Sequence, residues 1–125
     1  MLVKKISFVR PNLLEEISDI EDYNVDVFVE LESGYTYTVV IATAKNIVAL
    51  MDKEKINFSE PGDPFIIVRK LTKGIIEEAV KAYAENDAYW LKFYHFAGKV
   101  DTAVFNKLQD EQTEYLKELD ELDNS

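Results

Sequence analysis

His95 is the one histidine of the sequence and the side chain best suited to move a proton near neutral pH. A catalytic histidine needs an orienting carboxylate and a nucleophile at hand. The sequence places neither beside His95, so packing or a hydrogen bond is the simpler use of the ring. Glu77 and Glu78 invite comparison with an acid–base pair, yet adjacent residues on a helix point about 100° apart and do not face one another. With Tyr94 these are the starting points an enzyme or ligand-binding domain would have, and they do not make a catalytic set.

Asp19, Glu21, Asp22 and Asp26 carry enough oxygen to interest a hard cation. They lack the central glycine and the distal glutamate of an EF-hand loop, so no metal is expected. Gly34, Gly62, Gly74 and Gly98 are too far apart to build a phosphate-cradling loop, which argues against a nucleotide or other cofactor. The absence of cysteine removes disulfides, thiolate metal sites and thiol nucleophiles, and agrees with the cytoplasm as the expected compartment.

Charge and aromatic side chains are what remain. The net charge is −10, from 24 acidic against 14 basic residues, and the acids are grouped. No basic residue lies between Arg10 and Lys45, while Glu15, Glu16, Asp19, Glu21, Asp22, Asp26, Glu30 and Glu32 fall in that interval. A second acidic block, relieved by Lys117, runs from Asp110 to Asp123. Such surfaces repel nucleic acid and anionic membranes and draw basic proteins at salt-dependent rates. Lys81, Lys92 and Lys99 are too sparse to turn the neighbouring rings into a nucleic-acid stacking platform. No apolar run approaches the roughly 20 residues of a membrane span. The N-terminus lacks the apolar stretch of a secretion signal.

The rings Tyr83, Tyr89, Trp90, Phe93, Tyr94 and Phe96 make the most unusual local composition of the chain. Tyr89, Trp90, Phe93 and Tyr94 are candidates for an aromatic interface, because Trp and Tyr dominate binding hot spots. The competing use is as core between the C-terminal helices and a sheet, which a small domain needs.

The elements that must position these residues follow from periodicity. Alternation predicts a strand over residues 2–9, stopped by Pro11. Leu13, Leu14, Ile17 and Ile20 predict a short helix, with Asn12 and Glu15 spaced as a capping box. Val25, Val27, Val29 and Leu31 alternate with polar positions up to a turn at Glu32–Ser33–Gly34, and residues 35–42 return as the second strand of a hairpin. Thr43 is placed to cap a helix to about Glu54, lying on the sheet through Ile47, Val48, Leu50 and Met51. After a turn at residues 59–64, residues 65–68 read as a buried strand.

Thr72 opens a helix with Ile75, Ile76, Ala79, Val80 and Tyr83 at 3.6-residue spacing. A break is expected near Asn86–Asp87. Residues 88–96 then read as a helix apolar nearly all round, buried on several sides and ending at Gly98. From Asp101 a final helix carries Phe105, Leu108, Tyr115, Leu119 and Leu122, with Gln112 interrupting the seam; packing onto the body or into an interface is its expected use.

The sum is a single α+β domain over residues 1–125. It has a mostly antiparallel sheet of about four strands, helices packed on one face, a helical C-terminal third and an acidic end, residues 110–125, that frays. The functional expectation is a small acidic protein-binding module rather than an enzyme, inhibitor- or immunity-like in shielding a basic partner surface. Asp26, Glu30 and Glu32, with Phe28 and Tyr37 as apolar anchors, are its candidate contacts. A homo-oligomeric or scaffold subunit joined through apolar helices is the alternative.

Overall fold

The computed structural model describes residues 2–59, 64–97 and 102–123, with the side chains of residues 102–105 and 123 excepted. The turn expected within residues 60–63, the helix stop at Gly98, the Phe105 side chain and the last two residues lie outside them.

Four strands form one sheet in sequence order: β1 (Val3–Phe8), β2 (Asn24–Leu31), β3 (Thr36–Thr43) and β4 (Phe65–Val68). β1–β2 and β2–β3 are antiparallel and β3–β4 is parallel, so the α+β sheet is mixed but mostly antiparallel. The parallel pair follows from the connection, since α2 (Ala44–Glu54) carries the chain back before β4 begins. Gly34 makes the hairpin turn with φ +95°, a conformation that glycine adopts without strain.

The period-two reading of the hairpin holds from Val25 to Leu31 and from Tyr37 to Ile41, whereas Tyr35 lies before β3 and is exposed, and Ala42 is buried as well. Val25, Val27, Val29 and Leu31 are buried on one face with Tyr37, Val39 and Ile41, each such aliphatic side chain stabilising the fold by about 1.5–3 kcal/mol. They meet Ile76 and Val80 of α3 (Lys73–Tyr83), Ala88 and Leu91 of α4 (Glu85–Ala97), and Leu13 of α1 (Leu13–Glu16) in one core. Phe65 pairs with Val40 and therefore lies on the other face, where it borders a small cavity with Ile47, Leu50 and Met51 of α2. None of the residues of α2 is buried, so this helix covers the sheet only in part. Ile67 alternates onto the same face as Phe65 and is exposed there, which corrects the expectation that β4 is buried on both sides.

Helix starts are as the sequence implies at two places and not at a third. Thr43 accepts from the Asn46 N–H at 3.1 Å and Thr72 from the Ile75 N–H at 3.2 Å. Asn12 makes no side-chain cap, and α1 ends at Glu16 because Ile17 turns extended. The next turn is held instead by Asp19, whose carboxylate accepts from the Glu21 N–H at 3.0 Å.

Between α3 and α4 the chain reverses where the break is expected. Asn86, Asp87 and Ala88 all take left-handed conformations, with φ of 54°, 59° and 58°. The last helix, α5 (Thr102–Asp123), is a continuous helix whose side chains from Asn106 to Leu122 are all exposed.

Candidate protein-binding surface

The left-handed reversal sets α4 on the sheet at a fixed rotation. Ala88 and Leu91 are fully buried against the core, and His95, four residues on from Leu91, comes down on β3. There its Nδ1 accepts a hydrogen bond from the Thr38 N–H at 2.9 Å. The same nitrogen lies 3.4 Å from the Thr38 carbonyl, a longer contact, so the ring proton belongs on Nε2. β4 pairs only with residues 40–43 of β3, which leaves the first half of that strand with an open edge that His95 closes. Tyr37 packs edge-on against the same imidazole, with centroids 5.3 Å apart, and against Phe96 at 6.4 Å.

With that side of the helix fixed, the side chains at 89, 90 and 93 must point away from the sheet. Tyr89 and Phe93 are each 55% exposed and Trp90 is 46% exposed. They hold one another edge-to-face, Trp90 lying 5.0 Å from Tyr89 and 6.0 Å from Phe93 between ring centroids. Tyr94 forms the inner border of this group, 6.4 Å from Trp90 and 5.3 Å from the ring of Tyr83. Burial, and then the hydrogen bond and charge of the Tyr94 phenol, push the Tyr83 hydroxyl pKa above the ordinary tyrosine value. The expectation that this helix is buried on several sides is not met, because one side faces the sheet and nothing among the described residues covers the other. All four rings chosen as a candidate interface are brought together, and the half-exposed Phe96 adjoins Tyr37 instead.

Asp26, Phe28 and Glu30 share one face of β2 as expected, but Tyr37 is not brought to them. Phe28 and Glu30 are half-buried and Asp26 is exposed on the face away from α4, while Tyr37 alternates onto the opposite face and is 7% exposed. Tyr37 is therefore core, and cannot share a contact surface with Phe28. Half of the acids between Arg10 and Lys45 are also paired to cations from outside that interval. Arg10 meets Glu16 at 2.8 Å, Lys4 meets Glu30 at 3.6 Å, Lys70 meets Glu21 at 3.8 Å and Lys45 meets Asp19 at 3.9 Å. Asp22 accepts from the Asn46 amide at 3.1 Å, and Asn46 in turn accepts from Asn24 at 2.8 Å. Among the described residues no three acidic or histidine side chains gather in the manner of a metal site.

The second acidic block lies on α5. Leu108, Tyr115, Leu116 and Leu119 are exposed there, between carboxylates of Asp110, Glu111, Glu114 and Glu118. The spacing marks Leu108, Tyr115 and Leu119 but not Leu116, and spacing alone does not reveal their exposure. No helix among the described residues is long and apolar enough to cross a membrane. Comparison with family models, with curated proteins and with solved structures gave no match to this chain.

Proposed function

We propose that the chain is a small acidic protein-binding module that takes a basic protein surface, anchoring it on the outward rings of α4. The observation that supports this most is the group Tyr89, Trp90 and Phe93, half-exposed on a helix whose other side is held by Ala88, Leu91 and His95. Large rings clustered at a surface mark interfaces more than isolated exposed leucines do, because they bring much apolar area with few rotamers to freeze. A rigid backing keeps the cost of ordering low. The net charge of −10 then favours basic partners and accelerates their approach. In this reading the protein works as an inhibitor- or immunity-like shield for a basic surface, and the acidic hairpin contributes steering rather than anchorage.

Self-association is the second reading, favoured by the exposed leucines of α5. Salt separates the two, since screening weakens an electrostatically guided complex far more than an apolar dimer. The experiment is affinity capture from lysate of the source organism, washed at about 50 mM and about 500 mM salt, a range that spans weak and strong screening. Wild type is compared with a Trp90→Ala/Phe93→Ala variant and with an Asp26→Lys/Glu30→Lys/Glu32→Lys variant. The expected result is a basic protein retained by wild type, lost at high salt, lost by the ring variant and captured more slowly by the lysine variant. Retention by the ring variant and loss by the lysine variant would return the site to the hairpin. A salt-resistant capture of the chain by itself would favour self-association.

A further inference from the structure

A second surface, distinct from the α4 rings, lies at the opposite edge of the sheet. β1 is the edge strand, and its outer side is bordered by a groove of about 710 Å³ lined by four consecutive residues of the strand, 5–8. Ile6, Phe8, Leu14, Ile20, Leu71 and Ile76 give the groove an apolar lining, of which Leu71 and Ile76 are the buried floor.

The direction of the β1 backbone follows from the register. Thr38 faces Phe28 across β2–β3, but its N–H goes to His95 and not to β2. That pair therefore exchanges no hydrogen bonds, whereas the pair one step either side does, as the Leu31 N–H to Tyr35 carbonyl bond of 2.9 Å at the turn also requires. Phe28 consequently turns its N–H and carbonyl toward β1, where it faces Ser7, and Glu30 does the same toward Lys5. Ile6 and Phe8 are left with their backbone donors and acceptors directed outward, and their side chains on the groove side of the sheet. No partner for these outward groups occurs among the described residues.

We propose that this groove receives an extended peptide segment of another protein, added antiparallel or parallel to β1 as a fifth strand, with alternate apolar side chains seated between β1, α1 and α3. Three features select that occupant. Backbone groups on Ile6 and Phe8 two residues apart match the repeat of a strand and of nothing rounder. The volume falls in the range of a site for a few side chains, about 300–1,000 Å³. Lys5 and Lys73 on its border are balanced by Glu15 and Glu77, and none of the four is ion-paired among the described residues. The matching segment therefore carries mixed charges on its polar positions, unlike the basic partner expected at α4.

The other end of β1 is closed to such pairing. The register slips between Val3 and Lys5, and Lys4 stands at the irregularity, the devices by which edge strands discourage indiscriminate association. The open half of β3 is closed by His95. Lys5 through Phe8 is thus the stretch left available, and it is the stretch that lines the groove.

The test uses the full chain, both wild type and the Trp90→Ala/Phe93→Ala variant, as bait for short random peptides displayed on phage. Selected peptides are synthesised and their effect on amide hydrogen exchange is read by NMR. The expected result is enrichment of sequences with apolar residues at every second position, equal binding to both baits, and exchange protection at the Ile6 and Phe8 amides. N-methylation of alternate peptide amides should weaken binding by about tenfold or more, as the loss of strand hydrogen bonds requires. Failure to enrich any peptide, enrichment without alternation, or protection elsewhere in the chain would overturn the proposal. Peptide binding lost only in the ring variant would assign it to α4 instead.

Discussion

Two side chains near the ring patch illustrate how much a residue's role depends on contacts that spacing does not reveal. His95 is the sequence's best-suited side chain for proton chemistry, and packing or a hydrogen bond is the simpler use of its ring. The structure gives it one backbone N–H to satisfy, on a strand 57 residues away. Replacing His95 by Phe keeps the contacts with Tyr37 and Phe96 but leaves the Thr38 N–H without an acceptor. The expected loss is about 1–2 kcal/mol, measured by denaturant unfolding. Tyr83 supplies a pH signature for the same region. Its pKa is raised in the folded state, so the unfolded chain gives up this proton first, from the ordinary value of 10.0 upward. The stabilisation is therefore whole below that pH and is lost as pH rises through the raised folded value. A Tyr83→Phe variant is expected to lose stability less steeply on the alkaline side, checked by thermal unfolding across that range.

At the scale of elements, the fold was legible wherever a period persisted for a full strand or helix. The hairpin, the caps at Thr43 and Thr72 and the break at Asn86–Asp87 all emerged from local chemistry. Exposure did not, because an apolar stripe looks the same whether or not something covers it. The 88–96 segment reads as a buried helix, yet its rotation is set by Ala88, Leu91 and His95, and this leaves the large rings outside. The small, fully buried Ala88 is the signal available in the sequence. The strand edge at Ile6 and Phe8 was equally invisible, since it depends on which pairs of β2–β3 exchange hydrogen bonds. The reversal into α4 is strained, because left-handed backbone costs a residue with a Cβ roughly 1–2 kcal/mol. Asn86→Gly and Asp87→Gly should each stabilise the chain by up to about 1 kcal/mol without moving α4. Urea unfolding checks the stability and the Trp90 fluorescence spectrum checks the position of the helix. Destabilisation in both variants would mean that the side chains at 86 and 87 hold the turn.

For the whole molecule, the acidic interval reads from the sequence as one field, and the fold divides it. Cations at positions 4, 10, 45 and 70 are brought to Glu30, Glu16, Asp19 and Glu21 by β1, by the bend after it, by α2 and by the bend after β4. Exposed pairs of this kind add little stability, on the order of 0–1 kcal/mol each. Only the Lys4–Glu30 pair lies on the hairpin itself, so it alone lowers the charge that a partner would meet there. Asp26 and Glu32 of the hairpin and the acids along α5 have no ion pair among the described residues, and in the proposed reading these charges steer a basic partner toward the rings of α4. The sheet supports the rings through His95 and the buried side of α4, and its β1 edge is the second surface proposed.

The measurement closest to the central claim places a photo-reactive phenylalanine analogue at position 93 of the full chain, and in a second preparation at position 28. Each is irradiated in lysate of the source organism at low salt, with mass spectrometry of the adducts. A basic protein joined through position 93 and absent from position 28 is the expected outcome. Adducts from position 28 with none from position 93 would contradict the account and move the binding surface to the hairpin.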